Sequence, residues 1–178
     1  MGPMTPSSLL LAVDPGTIVT GLAIFRDGKP WYTGIIEADR KMPVDKRISQ
    51  IMSRFEAFLE LSLRMPTAQR ITAVACEQWR GPRNPYLQTL ITSMGQHVRS
   101  QKLEWHLYNN SMVTASVAPR GFRVTAKERK RQGVLALYPS HGWDMVSEDE
   151  IDAIAVGHYH LAQQREAALL GATTLNTR

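Results

Sequence analysis

Residues 9–28 read LLLAVDPGTIVTGLAIFRDG, and this stretch decides the fold class. Leu9 to Asp14 is a short apolar run closed by Pro15-Gly16, the pattern of a buried strand ended by a turn. Gly21 to Arg26 is a second such run. Asp27-Gly28 is a two-residue hairpin signal, and it returns the chain into a third strand from Pro30 to Glu37. Three strands joined by short turns make an antiparallel meander.

Helical spacing follows from Val44 to Met65, with Ile48, Ile51, Met52, Phe55, Phe58, Leu59 and Leu63 on one face and Pro66 closing it. Arg70 to Gln78 reads as a strand, and "WRGPRNP" (79–85) as a loop. Leu87, Leu90, Ile91, Met94 and Val98 mark a helix to about Ser100, and Leu103 to Tyr108 a fifth strand. A short helix starts near Asn110 or Ser111 and stops before Pro119. Thr125 with Glu128, and Ser147 with Glu150, form capping boxes. They open helices that run to about Tyr138 and about Ala168. Strands separated by helices add in parallel. The expectation is one α/β domain over residues 1–178: a mixed five-stranded sheet, three antiparallel strands plus two parallel, with helices on both faces. Residues 1–7 and about 169–178 read as flexible ends.

The chain carries 21 Lys and Arg against 16 Asp and Glu, a net charge of +5. That balance admits nucleic acid as a partner. A single cysteine, Cys76, excludes an intramolecular disulfide scaffold and reads as a small buried hydrophobe in a reducing compartment. No apolar run is long enough for a membrane span, and no secretory signal is recognisable, so a cytoplasmic location is expected. The charge is local. Arg120, Arg123, Lys127, Arg129, Lys130 and Arg131 stand against Glu128 alone, which is again 6 − 1 = +5. Such a segment reads as a grip on phosphate backbone.

The acids form a second pattern. Asp14 ends the first strand, Glu77 ends the fourth, and Asp149 and Asp152 stand three apart at the start of the last helix, on one face. Singly, an Asp before Pro-Gly is an ordinary turn residue, and acids in a first helical turn complement the helix dipole. Together they can converge if the two strands are neighbours. Hard oxygen donors without clustered His or Cys suit Mg²⁺ or Mn²⁺. Two such ions would serve phosphodiester hydrolysis.

The stretch "LLLAVDPGTIVTGLAIF" resembles the first motif of RuvC-type Holliday junction resolvases. "VACEQW" is similar to the second motif, "YLQTLITSMGQHV" to the helix after it, and "DEIDAIAVGHYH" to the last. The matches occur in family order from about Leu9 to His160. The resemblance implies an RNase H-like fold and a homodimer that cuts four-way DNA junctions with Mg²⁺ or Mn²⁺, two ions per site. By motif, Asp14, Glu77, Asp149 and Asp152 become the metal-binding catalytic acids. For the family's junction-opening aromatic, Trp79, Arg80 and Tyr86 are all candidates, and Arg83 adds a cation to the same loop. Lys127 and Lys130 both match the family's supporting lysine, and spacing does not choose between them. Arg120, Arg123 and Arg131 complete the expected DNA-binding set. An upstream basic position of the family is replaced by the uncharged "NNSMVTAS" (109–116). Family analogy places the dimer interface on helix 87–98, where Gly95 implies close approach by another element, such as the partner subunit. His158 and His160 are candidates to assist metal or water, with a role at the helix C-terminus the plainer reading for His160. Two other functions stay open: an RNase H-like nuclease acting on flaps or RNA–DNA hybrids, and a non-catalytic junction-binding protein.

Overall fold

The computed structural model describes residues 9–66, 69–78, 84–118, 125–139 and 146–175. The strands are β1 (Leu9–Asp14), β2 (Val19–Arg26), β3 (Lys29–Glu37), β4 (Ile71–Gln78) and β5 (Glu104–Asn109). The helices are α1 (Val44–Leu63), α2 (Pro85–Ser100), α3 (Asn110–Val117), α4 (Ala126–Leu137) and α5 (Glu148–Leu175). Among the described residues the strands form one sheet in the order β3-β2-β1-β4-β5. β1 pairs antiparallel with β2 and parallel with β4, β2 pairs antiparallel with β3, and β4 pairs parallel with β5. This is the expected mixed sheet. Asp27 and Gly28 both take positive φ, 53° and 76°, as a tight hairpin between twisted strands requires.

Alternation along the strands sorts the two faces. Leu9, Leu11, Val13, Val74 and Cys76 pack with Ile51, Phe55 and Leu59 of α1 and Leu90, Met94 and Val98 of α2. On the other face Leu10, Ala12, Ala23, Ala73 and Ala75 meet Val113 and Val117 of α3, Val134 of α4 and Ile151, Ile154 and Ala155 of α5. The alanines keep this second face shallow, so the α5 backbone lies close to the sheet.

Two expectations change. The last helix does not stop near Ala168; it continues to Leu175. Ala167, Ala168, Leu169 and Leu170 are good helix formers, and the one glycine that follows them is too weak a breaker to end the run. The expected flexible start, residues 1–7, lies outside the described residues. The capping boxes also differ from each other. Ser147 and Glu150 exchange both bonds, at 2.8 and 3.3 Å. Thr125 accepts from the Glu128 N–H at 3.2 Å, while the Glu128 carboxylate accepts from Gln132.

Candidate active site

β1 and β4 run parallel in a register that sets Val13 opposite Cys76. One residue further, Asp14 and Glu77 stand side by side at the C-terminal ends of both strands. Asp14 continues the Leu10–Ala12 series and Glu77 the Ala73–Ala75 series, so both turn to the face covered by α3, α4 and α5. The start of α5 supplies the other two acids. Asp14 pairs with Gly21 across β1 and β2. A Cβ on Gly21 would lie 1.9 Å from the Asp149 carbonyl oxygen, so the first turn of α5 rests directly on the β2 backbone. A cleft of about 230 Å³ opens there, lined by Asp14, Pro15, Glu77, Leu87, Asn110 and Asp152.

Thr20 holds the turn after Asp14. It is fully buried, and its hydroxyl donates to the Gly16 carbonyl at 3.1 Å and accepts from the Gly16 N–H at 3.3 Å. Opposite it, Asn110 donates from Nδ2 to Glu77 Oε1 at 2.6 Å, and the Thr114 hydroxyl donates to Asn110 Oδ1 at 2.8 Å.

The charge in the cleft is unbalanced. Burial pushes the Asp14 carboxyl well above its ordinary value, and Glu77, Asp152 and Asp149 push it further against the opposing Lys130. Burial also raises Glu77, opposed by Lys130 and by the hydrogen bond from Asn110. Asp149 is raised by burial and then by Asp152. The counter-charge is Lys130, only 4% exposed, with Nζ 3.1 Å from Asp152 Oδ1 and 3.6 Å from Glu77 Oε2. The longer contact is an ion pair beyond hydrogen-bond range, and Glu77 Oε2 is buried without a hydrogen-bond partner.

Among the described residues no three Asp, Glu, His or Cys side chains form a ready metal cage; Lys130 bridges two of the acids instead. The donor chemistry nevertheless fits a hard divalent cation. Asp14, Glu77 and Asp152 gather around one buried ammonium, burial and then neighbouring carboxylates raise Asp14, Glu77 and Asp149, and one carboxylate oxygen of Glu77 is buried and unbonded. A cation relieves each of these features at once.

The other predicted residues are distributed more widely. Lys127 is 60% exposed and ion-paired with Glu148, so the two candidate supporting lysines are separated: Lys130 lies among the acids and Lys127 outside them. Lys127 and Arg131 share a neighbouring cleft of about 100 Å³ with Glu148 and Asp152. Tyr86 is exposed in the first turn of α2. Trp79, Arg80, Arg83, Arg120 and Arg123 lie outside the described residues.

The histidines do not reach the acids. His158 hydrogen-bonds the Tyr138 hydroxyl at 2.9 Å, and His160, 1% exposed, bonds that of Tyr108 at 2.8 Å. Burial and nearby His106 lower His160 to about 4. Since α5 continues 175 − 160 = 15 residues past it, His160 is not a C-terminal dipole partner. Cys76 is fully buried, with its thiol pushed up by burial.

The apolar stripe of α2 is spent on its own core, with Leu90, Met94 and Val98 fully buried. The close neighbour of Gly95 is the Trp105 side chain of β5, which would stand 2.7 Å from a Cβ at that position. Neither feature therefore requires a partner subunit. Among the described residues no helix is long and apolar enough to cross a membrane.

Sequence reasoning missed Thr20, Asn110 and Thr114. The "NNSMVTAS" stretch is conspicuous only for its lack of charge, and nothing local shows that its first helical residue meets Glu77.

The sheet order, the parallel pair at its centre and the helices on both faces define an RNase H-like α/β fold. Within it the likeness is to RuvC. The chain superposes on the structure of Thermus thermophilus RuvC with a TM-score of 0.68 at 18% identity, covering 89% of this chain and 96% of that one. It superposes on T. thermophilus RuvC in complex with Holliday junction substrate with a TM-score of 0.66 at 17% identity and the same coverage. No protein-family model and no curated protein matches the chain in sequence.

Proposed function

We propose that this chain is a structure-selective endonuclease that resolves four-way DNA junctions by divalent-metal-dependent phosphodiester hydrolysis. One observation carries the proposal: in a RuvC-like fold, Asp14 and Glu77 are delivered side by side to one cleft beside Asp149 and Asp152. Such a concentration of carboxylate repels phosphate unless cations intervene.

Asp14, Glu77, Asp149 and Asp152 would hold Mg²⁺ or Mn²⁺, two ions per site. Bound ions supply charge neutralisation at the scissile phosphate and an activated water. Asp14, between Glu77 on its parallel neighbour and the α5 turn, would serve both ions. Lys130 balances Glu77 and Asp152 before substrate binds, and remains a positive charge beside the phosphate that enters. Lys127 and Arg131 on α4, which share the neighbouring cleft, then provide backbone contacts. Arg120 and Arg123 of the same basic stretch would add to them, and Trp79, Arg80, Arg83 and Tyr86 would meet the opened crossover. Among the described residues each chain offers one such acid cleft, so paired cuts would call for a homodimer. With the apolar stripe of α2 already buried, pairing through this helix would use its polar outer face, which includes Thr92 and Gln96.

The test is side-by-side cleavage of a four-way junction, a flap, an RNA–DNA hybrid and a linear duplex in Mg²⁺ or Mn²⁺. Symmetric nicks in the junction are expected. Equal cutting of all four substrates, or full cleavage by Asp14→Asn, overturns the reading.

A further inference from the structure

Glu77 has two oxygens in different circumstances. Oε1 accepts from Asn110 Nδ2 at 2.6 Å, whereas Oε2 is buried without a hydrogen bond, 3.6 Å from Lys130 Nζ. The Asn110 amide cannot turn over. Its other end, Oδ1, accepts from the Thr114 hydroxyl at 2.8 Å, and a flipped amide would set an oxygen against the Glu77 carboxylate. Asn110 and Thr114 are one turn apart on α3, and Val113, beside them, is anchored in the core. The donor aimed at Oε1 is thus held by a rigid element.

A carboxylate oxygen that already accepts a short hydrogen bond has one of its two lone-pair sites occupied, so the unbonded oxygen is the better donor to an ion. That matters for ion choice. Mg²⁺ demands near-ideal octahedral geometry and takes carboxylates through single oxygens, whereas Ca²⁺ accepts more ligands, including both oxygens of one carboxylate. Resting on the metal-binding reading of the acid cluster, we propose that Asn110, oriented by Thr114, is a positioning residue that favours Glu77 Oε2 over Oε1 as the ligand and biases the site toward Mg²⁺ over Ca²⁺.

The test is Mn²⁺ binding by electron paramagnetic resonance, with Mg²⁺ and Ca²⁺ as competitors. It uses the full-length protein, Asn110→Ala, Thr114→Val and the double variant, with Asp14→Asn as the control for the site itself. Melting temperatures in chelator report whether each variant is folded. In Asn110→Ala, Mg²⁺ competition should weaken about 10–100-fold, the usual cost of losing a partner that orients a ligand. Ca²⁺ competition should hold or strengthen. Thr114→Val should move the ratio the same way by less, and the double variant no further than Asn110→Ala alone. If Asn110→Ala fails to fold, the Thr114→Val ratio decides. An unchanged Ca²⁺-to-Mg²⁺ ratio in the folded variant overturns the proposal while leaving the metal site intact. Mn²⁺ binding that is absent, or untouched by Asp14→Asn, overturns the site reading itself and this proposal with it.

Discussion

Replacing Gly21 with alanine puts a methyl carbon 1.9 Å from the Asp149 carbonyl oxygen, 2.4 Å from its carbonyl carbon and 3.1 Å from the Glu150 nitrogen. A carbon–oxygen contact needs about 3.3 Å, so one element must retreat by about 1.4 Å. β2 cannot easily do so. It is paired on both sides, and its neighbours Thr20 and Leu22 are buried at 0% and 3% exposure. The first turn of α5 therefore lifts, taking Asp149 and Asp152 with it. Overpacking of this kind costs about 1–3 kcal/mol. Displacement of reacting groups by an ångström costs about 100-fold in rate. Gly34→Ala on β3 is the control, because the nearest atoms to its new methyl all belong to the exposed Tyr32 side chain, which can swing aside. Junction cleavage in Mg²⁺ and chemical denaturation of both variants measure the two effects. Wild-type rate and stability in Gly21→Ala would refute the argument that the β2 backbone seats the acids of α5.

Asp14→Asn should abolish cleavage yet raise the melting temperature of the metal-free protein. The raised carboxyls of Asp14, Glu77 and Asp149 favour the folded state below the ordinary carboxylate range, and that contribution is lost as pH rises through their elevated folded values. The metal-free wild type should accordingly lose stability across that window, Mg²⁺ or Mn²⁺ should restore it, and a lower melting point for Asp14→Asn in chelator would count against the picture. Lys130→Met leaves two carboxylates without their shared ammonium and should cost about 3–5 kcal/mol in urea denaturation. Lys127→Met, at an exposed pair, should cost no more than about 1 kcal/mol; equal losses would undo the distinction between the two lysines. His160, lowered to about 4 by burial and His106, should make stability fall as pH drops from about 6.5 toward that value, and His160→Gln should flatten the slope in a thermal-melt series.

Local chemistry makes most of the architecture readable. Apolar runs bounded by Pro-Gly and Asp-Gly specify β1 and β2, and the spacing of Ile48, Ile51, Phe55 and Leu59 specifies α1. These signals depend on near neighbours in the chain, as do the caps at Thr125 and Ser147. The end of α5 escapes a sequence reading because a run of alanine and leucine has no stop signal, only one weak breaker. The use of α2 escapes it for a different reason: an apolar stripe looks the same whether it meets its own sheet or another chain.

The four acids and the basic stretch are legible as residue types at informative positions. Their roles in space are not. That Asp14 adjoins Glu77 follows from the parallel register of strands 57 residues apart (71 − 14). Both lysines of α4 meet α5, but Lys130 is buried between Glu77 of β4 and Asp152, whereas Lys127 pairs with Glu148 at the exposed start of α5. Asn110 and Thr114 enter the site through α3, which crosses the end of β4 only once the sheet is assembled. Sequence alone determines strands, helices and the stock of charged groups, since those depend on short-range steric and hydrophobic patterning. Tertiary packing decides which carboxylate oxygen is engaged, which lysine is dehydrated and which face of a helix remains free, since those depend on neighbours distant in the chain.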